Sequence, residues 1–118
     1  MALPEASEIA DQLFEAATAR AKQHGLGFGS GADSDLRAMA ARAADTILTA
    51  AKNKPSDLRE RYVKGVARVA TEAMVTFVDE MTSARFRIAG YAQANQNVIG
   101  EETLLAARSV LCPIWPIC

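Results

Sequence analysis

Residues 58–88 read LRERYVKGVARVATEAMVTFVDEMTSARFRI and carry the most regular apolar pattern in the chain. Large or small apolar side chains recur there at steps of three or four residues: Leu58, Tyr62, Val66, Val69, Ala73, Phe77, Met81, Ala84 and Ile88. This spacing puts the apolar residues on one face of an α-helix. Charged residues fill the other side, at Arg59, Glu60, Lys64, Arg68, Glu72, Asp79 and Arg87. The sequence therefore predicts a long amphipathic helix with one buried stripe and one solvated face.

Two shorter helices are predicted before this one. The first begins at Pro4, and Gly25 can close it in a left-handed conformation. Its buried stripe consists of Ala6, Ile9, Leu13, Ala16 or Ala17, and Ala21. The second helix is expected to take its N-terminal cap from residues 33–35 and to end before Pro55, which disfavours helical geometry at the preceding residue. Its stripe consists of Leu36, Met39 or Ala40, Ala43, Ile47 and Ala50.

Glycine stands at every second position of residues 25–31, GLGFGSG. We expect a flexible loop over residues 25–33, because glycine has many accessible backbone conformations. Gly27, Gly29 and Ala32 formally satisfy the dinucleotide-binding pattern G-x-G-x-x-A. That site needs a strand before the loop, whereas a helix is predicted here. The pattern therefore indicates a connector and not a nucleotide site.

After residue 88, Gly90 and the polar residues 93–97 indicate a break, and a last short helix is predicted over about 101–111. We predict no strand and no internal repeat. If the long helix ran unbroken, it would span roughly 50 Å and extend beyond either earlier helix. The expected fold is all-α: a single domain over residues 1–118, formed by a bundle of four to five helices, mostly antiparallel, with an extended apolar C-terminal tail.

The composition is that of a globular protein, with half of the 118 residues apolar, 23% charged and 24 alanines. We predict neither a signal peptide nor an apolar run long enough to cross a membrane, and we expect a cytoplasmic protein. The net charge of −1 conceals an uneven distribution, because residues 52–68 hold six bases and two acids. An anionic partner would meet this segment first.

Residues suited to catalysis or metal binding are few. The chain has one histidine and two cysteines, without the C-x-x-C, E-x-x-H or H-E-x-x-H spacings of metal sites. We expect His24 at a helix end, and the sequence names no partner for it. We interpret Glu101 and Glu102 as a helix-dipole pair, and Asp79 and Glu80 as solvated surface. We predict no catalytic residue, no metal and no cofactor, and an enzyme is the third hypothesis.

The segment 111–118, LCPIWPIC, is apolar, and its two prolines prevent a helix. Its large apolar side chains are Leu111, Ile114, Trp115 and Ile117. Burying each is worth about 2 kcal/mol, so they are expected either to fold back across their own bundle or to bind another chain. Cys112 and Cys118 could form a disulfide only with a turn between them, and a cytoplasmic setting favours free thiols.

The leading hypothesis is a small non-enzymatic helical module for protein–protein interaction or regulation. It would bind another protein, or itself as a homo-oligomer, through an Ala-rich helix face and the four tail side chains. The alternative is a nucleic-acid-associated regulator that uses the basic segment. Its candidate residues are Lys52, Lys54, Arg59, Arg61, Lys64 and Arg68. Asp57 and Glu60 lie among these bases and weigh against nucleic-acid binding.

Overall fold

The computed structural model describes residues 3–88 and 98–99. Three helices account for most of them: α1 spans Ala6–Gln23, α2 spans Ser30–Lys52 and α3 spans Arg59–Ile88. Two short strands, β1 at Gly27–Phe28 and β2 at Val98–Ile99, pair in parallel. The predicted all-α class is confirmed. The helix predicted over 101–111, the break near Gly90 and the tail over 111–118 lie outside the described residues.

The three helices form an up–down–up bundle in which each contacts the other two. Ile9 of α1 and Val63 of α3 line the same groove, and farther along Arg20 of α1 contacts Asp79 of α3. α1 and α3 therefore run parallel. α2 runs in the opposite direction, because only residues 24–29 connect it to α1. No helix in the described part of the chain combines the length and the hydrophobicity that a membrane span requires.

The core lies between the three helices and is rich in alanine. The buried alanines are Ala17, Ala21, Ala32, Ala40, Ala43, Ala44, Ala51, Ala67, Ala70 and Ala73. Small side chains let the helix axes approach closely. Larger side chains fill the remaining space, among them Leu13, Leu36, Ile47, Met74 and Phe77. The alanine-rich faces are thus used mainly for packing inside the bundle.

The buried stripe of α3 differs from the predicted one. The spacing predicts Leu58 and Val69 in the core, but they are 44% and 60% exposed. The buried residues of α3 include Val63, Ala67, Ala70, Met74 and Val78, together with the predicted Ala73, Phe77 and Met81. α3 packs against α1 and α2 at once, so it buries a broad face, and periodicity alone did not locate the centre of that face. The side chains of Ala84 and Ile88 lie outside the described residues.

The glycine-rich connection is shorter than predicted. α2 begins at Ser30, so residues 30–33 are helical and do not belong to a 25–33 loop. The N-cap of α2 is Gly29, without a side-chain cap, so the prediction of a cap at residues 33–35 was wrong. Asp33 instead lies in the first turn, where a carboxylate favours the positive helix end, and accepts a 3.0 Å hydrogen bond from Arg37.

α1 ends in a glycine with positive φ, as the sequence predicts. Gly25 has φ +74°. Its N–H donates to the carbonyl of Lys22 at 2.9 Å, and the Leu26 N–H donates to the carbonyl of Ala21 at 2.8 Å. These are the two hydrogen bonds of a Schellman motif, and the buried Leu26 side chain completes it. The motif makes His24 the C-cap residue, beside α3.

Candidate functional site

One side of α3 presents apolar residues to solvent. Tyr62, Gly65 and Val69 of α3 follow Leu58, the residue directly before the helix, at steps of four, three and four residues, and we call this row the outer seam. Leu58 and Val69 are the large hydrophobic residues that the described part of the chain leaves exposed, and Tyr62 is half-buried. Gly65 is exposed, and a Cβ atom there would meet nothing within 4 Å. The outer seam is thus an apolar row with a gap at its centre.

Basic side chains border the outer seam. The ammonium group of Lys54 lies 5.0 Å from the ring centroid of Tyr62, in a cation–π contact across the α2–α3 turn. Arg61 and Arg68 are exposed, and each lies one residue before a seam position. We call Lys54, Arg61 and Arg68 the basic rim. Lys52, at the end of α2, is also exposed.

Arg59 and Lys64, two other predicted phosphate-binding residues, have local contacts. Arg59 donates from Nε to the carbonyl of Lys54 at 3.0 Å and from Nη2 to the carbonyl of Lys52 at 3.3 Å. These carbonyls lie at the negative end of α2, where helical partners are lacking, so the guanidinium stabilises the turn. Lys64 Nζ lies 3.0 Å from Oε1 of Glu60, one turn earlier. Arg59 is therefore less available to a partner than the basic rim, whereas the Lys64 side chain is 73% exposed and accessible.

A polar cluster joins the end of α1 to α3. Arg20 donates to Asp79 Oδ1 from Nε at 2.7 Å and to Oδ2 from Nη2 at 3.1 Å, and His24 Nε2 lies 2.8 Å from Oδ1. The hydrogen bond from Arg20 is the main cause that lowers the pKa of Asp79, and the same contact raises the pKa of Arg20. The sequence predicts Asp79 at the solvated surface; its side chain is 38% exposed, and its pairing with Arg20 and His24 was not predicted. Asp79 is the partner that the sequence could not name for His24.

The chemistry of this cluster favours a structural role. Both carboxylate oxygens of Asp79 accept hydrogen bonds from one guanidinium, and its lowered pKa makes it a weak base. Among the described residues, no three histidine, cysteine, aspartate or glutamate side chains lie together as metal ligands. The cluster therefore ties the C-terminal end of α1 to α3.

Three surface grooves lined by described residues lie away from His24 and Asp79. One groove lies between α1 and α3 and is lined by Pro4, Glu8, Ile9, Gln12, Val63, Lys64 and Ala67. Another lies on α1 and α2 beside Phe14 and Arg37, and a third lies at the α2–α3 turn. None of these three grooves is lined by a histidine or a cysteine.

Sequence reasoning missed the outer seam and the pairing of Arg20 with Asp79. The sequence did contain a signal for the outer seam, namely Gly65 inside a helical pattern. Glycine lowers the stability of a helix, so a glycine in this place usually has a reason in packing or function. No local signal exists for Arg20 and Asp79, which are 59 residues apart. The predicted tail residues Leu111, Ile114, Trp115 and Ile117 lie outside the described residues.

Comparison of the chain with protein-family models, with curated proteins and with solved structures gives no match. The function of the protein is therefore inferred from the chemistry of its surface and not by analogy with a known fold.

Proposed function

We propose that the protein is a small non-enzymatic helical module that binds another protein or a second copy of itself. The observation that carries this proposal is the exposure of Leu58 and Val69 in one row that begins directly before α3 and continues along it. Single exposed hydrophobic residues are common, but Leu58 and Val69 share a row with Tyr62, so one partner segment can contact all three. Burying a large aliphatic side chain is worth about 2 kcal/mol, so a partner that covers the row gains several kcal/mol.

The helix face available to a partner is the outer seam. Most alanines of α1, α2 and α3 are already buried where these helices meet. Ala19, Ala38 and Ala41 of α1 and α2 are exposed, but the large exposed apolar residues lie along the side of α3 on which Gly65 is the small residue, and we propose this side as the binding face. A small residue lets a second helix approach closely, and neighbouring large residues then gain contact area.

The C-terminal segment is proposed as the second contact. In this proposal a fourth helix over 101–111 extends the bundle, and an extended apolar tail follows over 111–118. The tail carries Leu111, Ile114, Trp115 and Ile117. Tryptophan is enriched among residues that dominate binding energy, so Trp115 is the expected anchor. Pro113 and Pro116 favour the extended conformation.

A nucleic-acid-associated regulator is the alternative, and exposed Lys52, Arg61 and Arg68 support it. The apolar row beside these bases favours a protein partner, because phosphate contacts require charge and hydrogen-bond donors. Titration of a mixed-sequence DNA duplex with salt tests the alternative, since affinity carried by phosphate contacts falls steeply with salt. Absence of binding at low salt would exclude it. An enzyme ranks third, and a small molecule that reproducibly raises the Tm would revive that hypothesis.

Solution mass and protein capture test the proposed function on the full chain. Light scattering measures self-association, and the immobilised chain measures capture of other proteins. The double variant Trp115→Ser/Ile117→Ser removes two apolar tail side chains, and Thr49→Ala on the exposed side of α2 is the control. We expect the double variant to lose the association that the control retains. A monomeric chain that captures no protein contradicts the proposed function, and a double variant that behaves like the control contradicts the role of the tail.

A further inference from the structure

We propose that the outer seam binds one amphipathic helix of a partner protein, whose apolar stripe is bordered by aspartate or glutamate. The proposal deepens the proposed function, on which it rests, by assigning the partner's chemistry. In this proposal the basic rim pairs with the partner's carboxylates. The apolar contact is made by Leu58, Tyr62, Gly65 and Val69. This is the helix-on-groove mode of recognition, in which apolar anchors repeat at helical spacing.

The spacing of the outer seam fits a second helix. Steps of four, three and four residues are those of the contact positions in a coiled coil. From Leu58 to Val69 the seam covers about 16 Å of helix, or three turns, which a partner segment of similar length would cover. These positions lie at the edge of the buried face of α3, so a docked helix would extend the existing packing outward.

Gly65 is the feature that the bundle itself does not explain. It lies inside α3, where glycine is about 1 kcal/mol less favourable than alanine. No φ constraint or crowding requires glycine, because its conformation is helical and an added Cβ atom would meet open space. The absent side chain instead leaves a shallow gap between Tyr62 and Val69. A partner side chain that enters this gap would bring the two helices into close contact.

The charged residues beside the outer seam indicate which charges the partner carries on either side of its apolar stripe. Lys54 lies against Tyr62, and Arg61 and Arg68 lie on the solvent side of the seam. Asp57 and Glu72 lie near the ends of the seam and offset part of this charge. The centre of the outer seam therefore has a basic border. Carboxylates beside the partner's apolar stripe would meet this border with favourable electrostatics, whereas lysines would be repelled.

The same charges disfavour a second copy of α3 as the occupant. An antiparallel pair could match Leu58 with Val69 and Tyr62 with Gly65, but it would place Arg61 of one copy beside Arg68 of the other. A parallel pair would place Arg61 and Arg68 opposite Val66 and Ala73 of the other copy, so it would offer them no carboxylate. Like charges across an interface lower its stability and suppress the antiparallel pairing. The apolar row within the basic rim also favours a helix over nucleic acid.

Two synthetic three-heptad peptides test the proposal with the full chain. Both have the same Leu and Ala stripe, and they differ in having glutamate or lysine at the flanking positions. Fluorescence anisotropy measures their Kd at low and physiological salt. We expect the glutamate peptide to bind about tenfold more tightly than the lysine peptide, with the difference shrinking as salt rises. If neither peptide binds, or if both bind equally, the proposal is wrong.

Variants of exposed residues identify the surface without disturbing the core. Val69→Lys removes an apolar contact and retains the positive charge of the rim, so we expect about a tenfold loss of affinity for the glutamate peptide. Arg61→Glu/Arg68→Glu should reverse the preference in favour of the lysine peptide. Thr49→Lys, on the exposed side of α2, is the control and should leave both Kd values unchanged.

The Gly65→Gln variant should change thermal stability and peptide affinity in opposite directions. Glutamine is a better helix former than glycine and fills open space, so we expect the Tm to rise while peptide affinity falls about tenfold. Unchanged affinity for the glutamate peptide would overturn the role of the gap at Gly65.

Two further outcomes would reassign the surface and overturn the proposal. A dimer that becomes monomeric in Val69→Lys would show that a second copy occupies the seam. Binding of duplex DNA that depends on Arg61 and Arg68 but not on Val69 would assign the basic rim to nucleic acid. If the peptides fail while the Trp115→Ser/Ile117→Ser variant still loses association, the proposed function stands and only this partner assignment falls.

Discussion

Gly25 and Gly65 have opposite roles, although both are exposed glycines at or in a helix. Gly25 has φ +74°, and its side-chain-free Cα permits the Schellman motif at the end of α1. Gly25→Ala would place a Cβ atom in the left-handed region and should lower the free energy of unfolding by about 1 kcal/mol. Gly65→Ala has no such strain and should raise it by up to about 1 kcal/mol. Urea unfolding of both variants checks this pair, and shifts of the same sign would contradict it.

Asp79 should contribute a pH-dependent part of the stability. Its pKa is held below the ordinary value of 3.8, chiefly by the hydrogen bond from Arg20. A carboxyl group whose pKa is lowered by folding stabilises the protein above its unfolded pKa, and the contribution disappears as pH falls through the folded pKa. The side chain is 38% exposed, so we expect the contribution to be at most about 1 kcal/mol.

Asp79→Asn isolates this contribution. The variant should have a lower free energy of unfolding than the parent near pH 7. This gap in unfolding free energy should close as pH falls below 3.8. Equilibrium urea unfolding at several pH values measures the gap. A gap that is constant with pH would mean that the contacts of Asp79 with Arg20 and His24 do not depend on its charge.

Some of these contacts were predictable from the sequence and others were not. Gly25 follows basic residues at the end of an apolar stripe, and this local signal predicts the cap. The pairing of Arg20 with Asp79 depends on the rotation of α1 and α3 about their axes. A 59-residue separation leaves no trace of that rotation in local spacing.

Helix α3 shows the limit of periodicity as a guide to burial. The predicted stripe through Leu58 and Val69 is helical in spacing, but so is the observed stripe through Val63 and Met74. A second packing helix widens the buried face, and only the contact geometry tells which stripe lies at its centre. The sequence therefore predicts the helix well and its orientation only in part.

Truncation of a residue in the observed stripe should lower the free energy of unfolding far more than truncation of an exposed residue in the predicted stripe. Met74 is fully buried, so Met74→Ala should cost about 3 kcal/mol of unfolding free energy. Val69 is 60% exposed, so Val69→Ala should change it by no more than about 0.5 kcal/mol. Urea unfolding of the two variants makes the comparison. A larger loss in Val69→Ala than in Met74→Ala would mean that the predicted stripe is the buried one.

The bundle as a whole follows from short connections and small side chains. The turn after α1 and the break at Pro55 reverse the chain twice, and the alanine-rich faces allow three helices to pack closely. The pairing of β1 with β2 was not predictable, because two-residue strands are too short to show an alternating pattern. The predicted fourth helix and apolar tail remain part of the proposed function.

The partner assignment depends on one surface of the molecule, the outer seam with its basic rim. NMR of the isotope-labelled full chain during titration with the glutamate-flanked peptide tests it most directly. The account predicts saturable amide shifts concentrated between Lys54 and Glu72, and their loss in Val69→Lys. Shifts centred on Arg20, His24 and Asp79 instead, or no shifts at all, would contradict it.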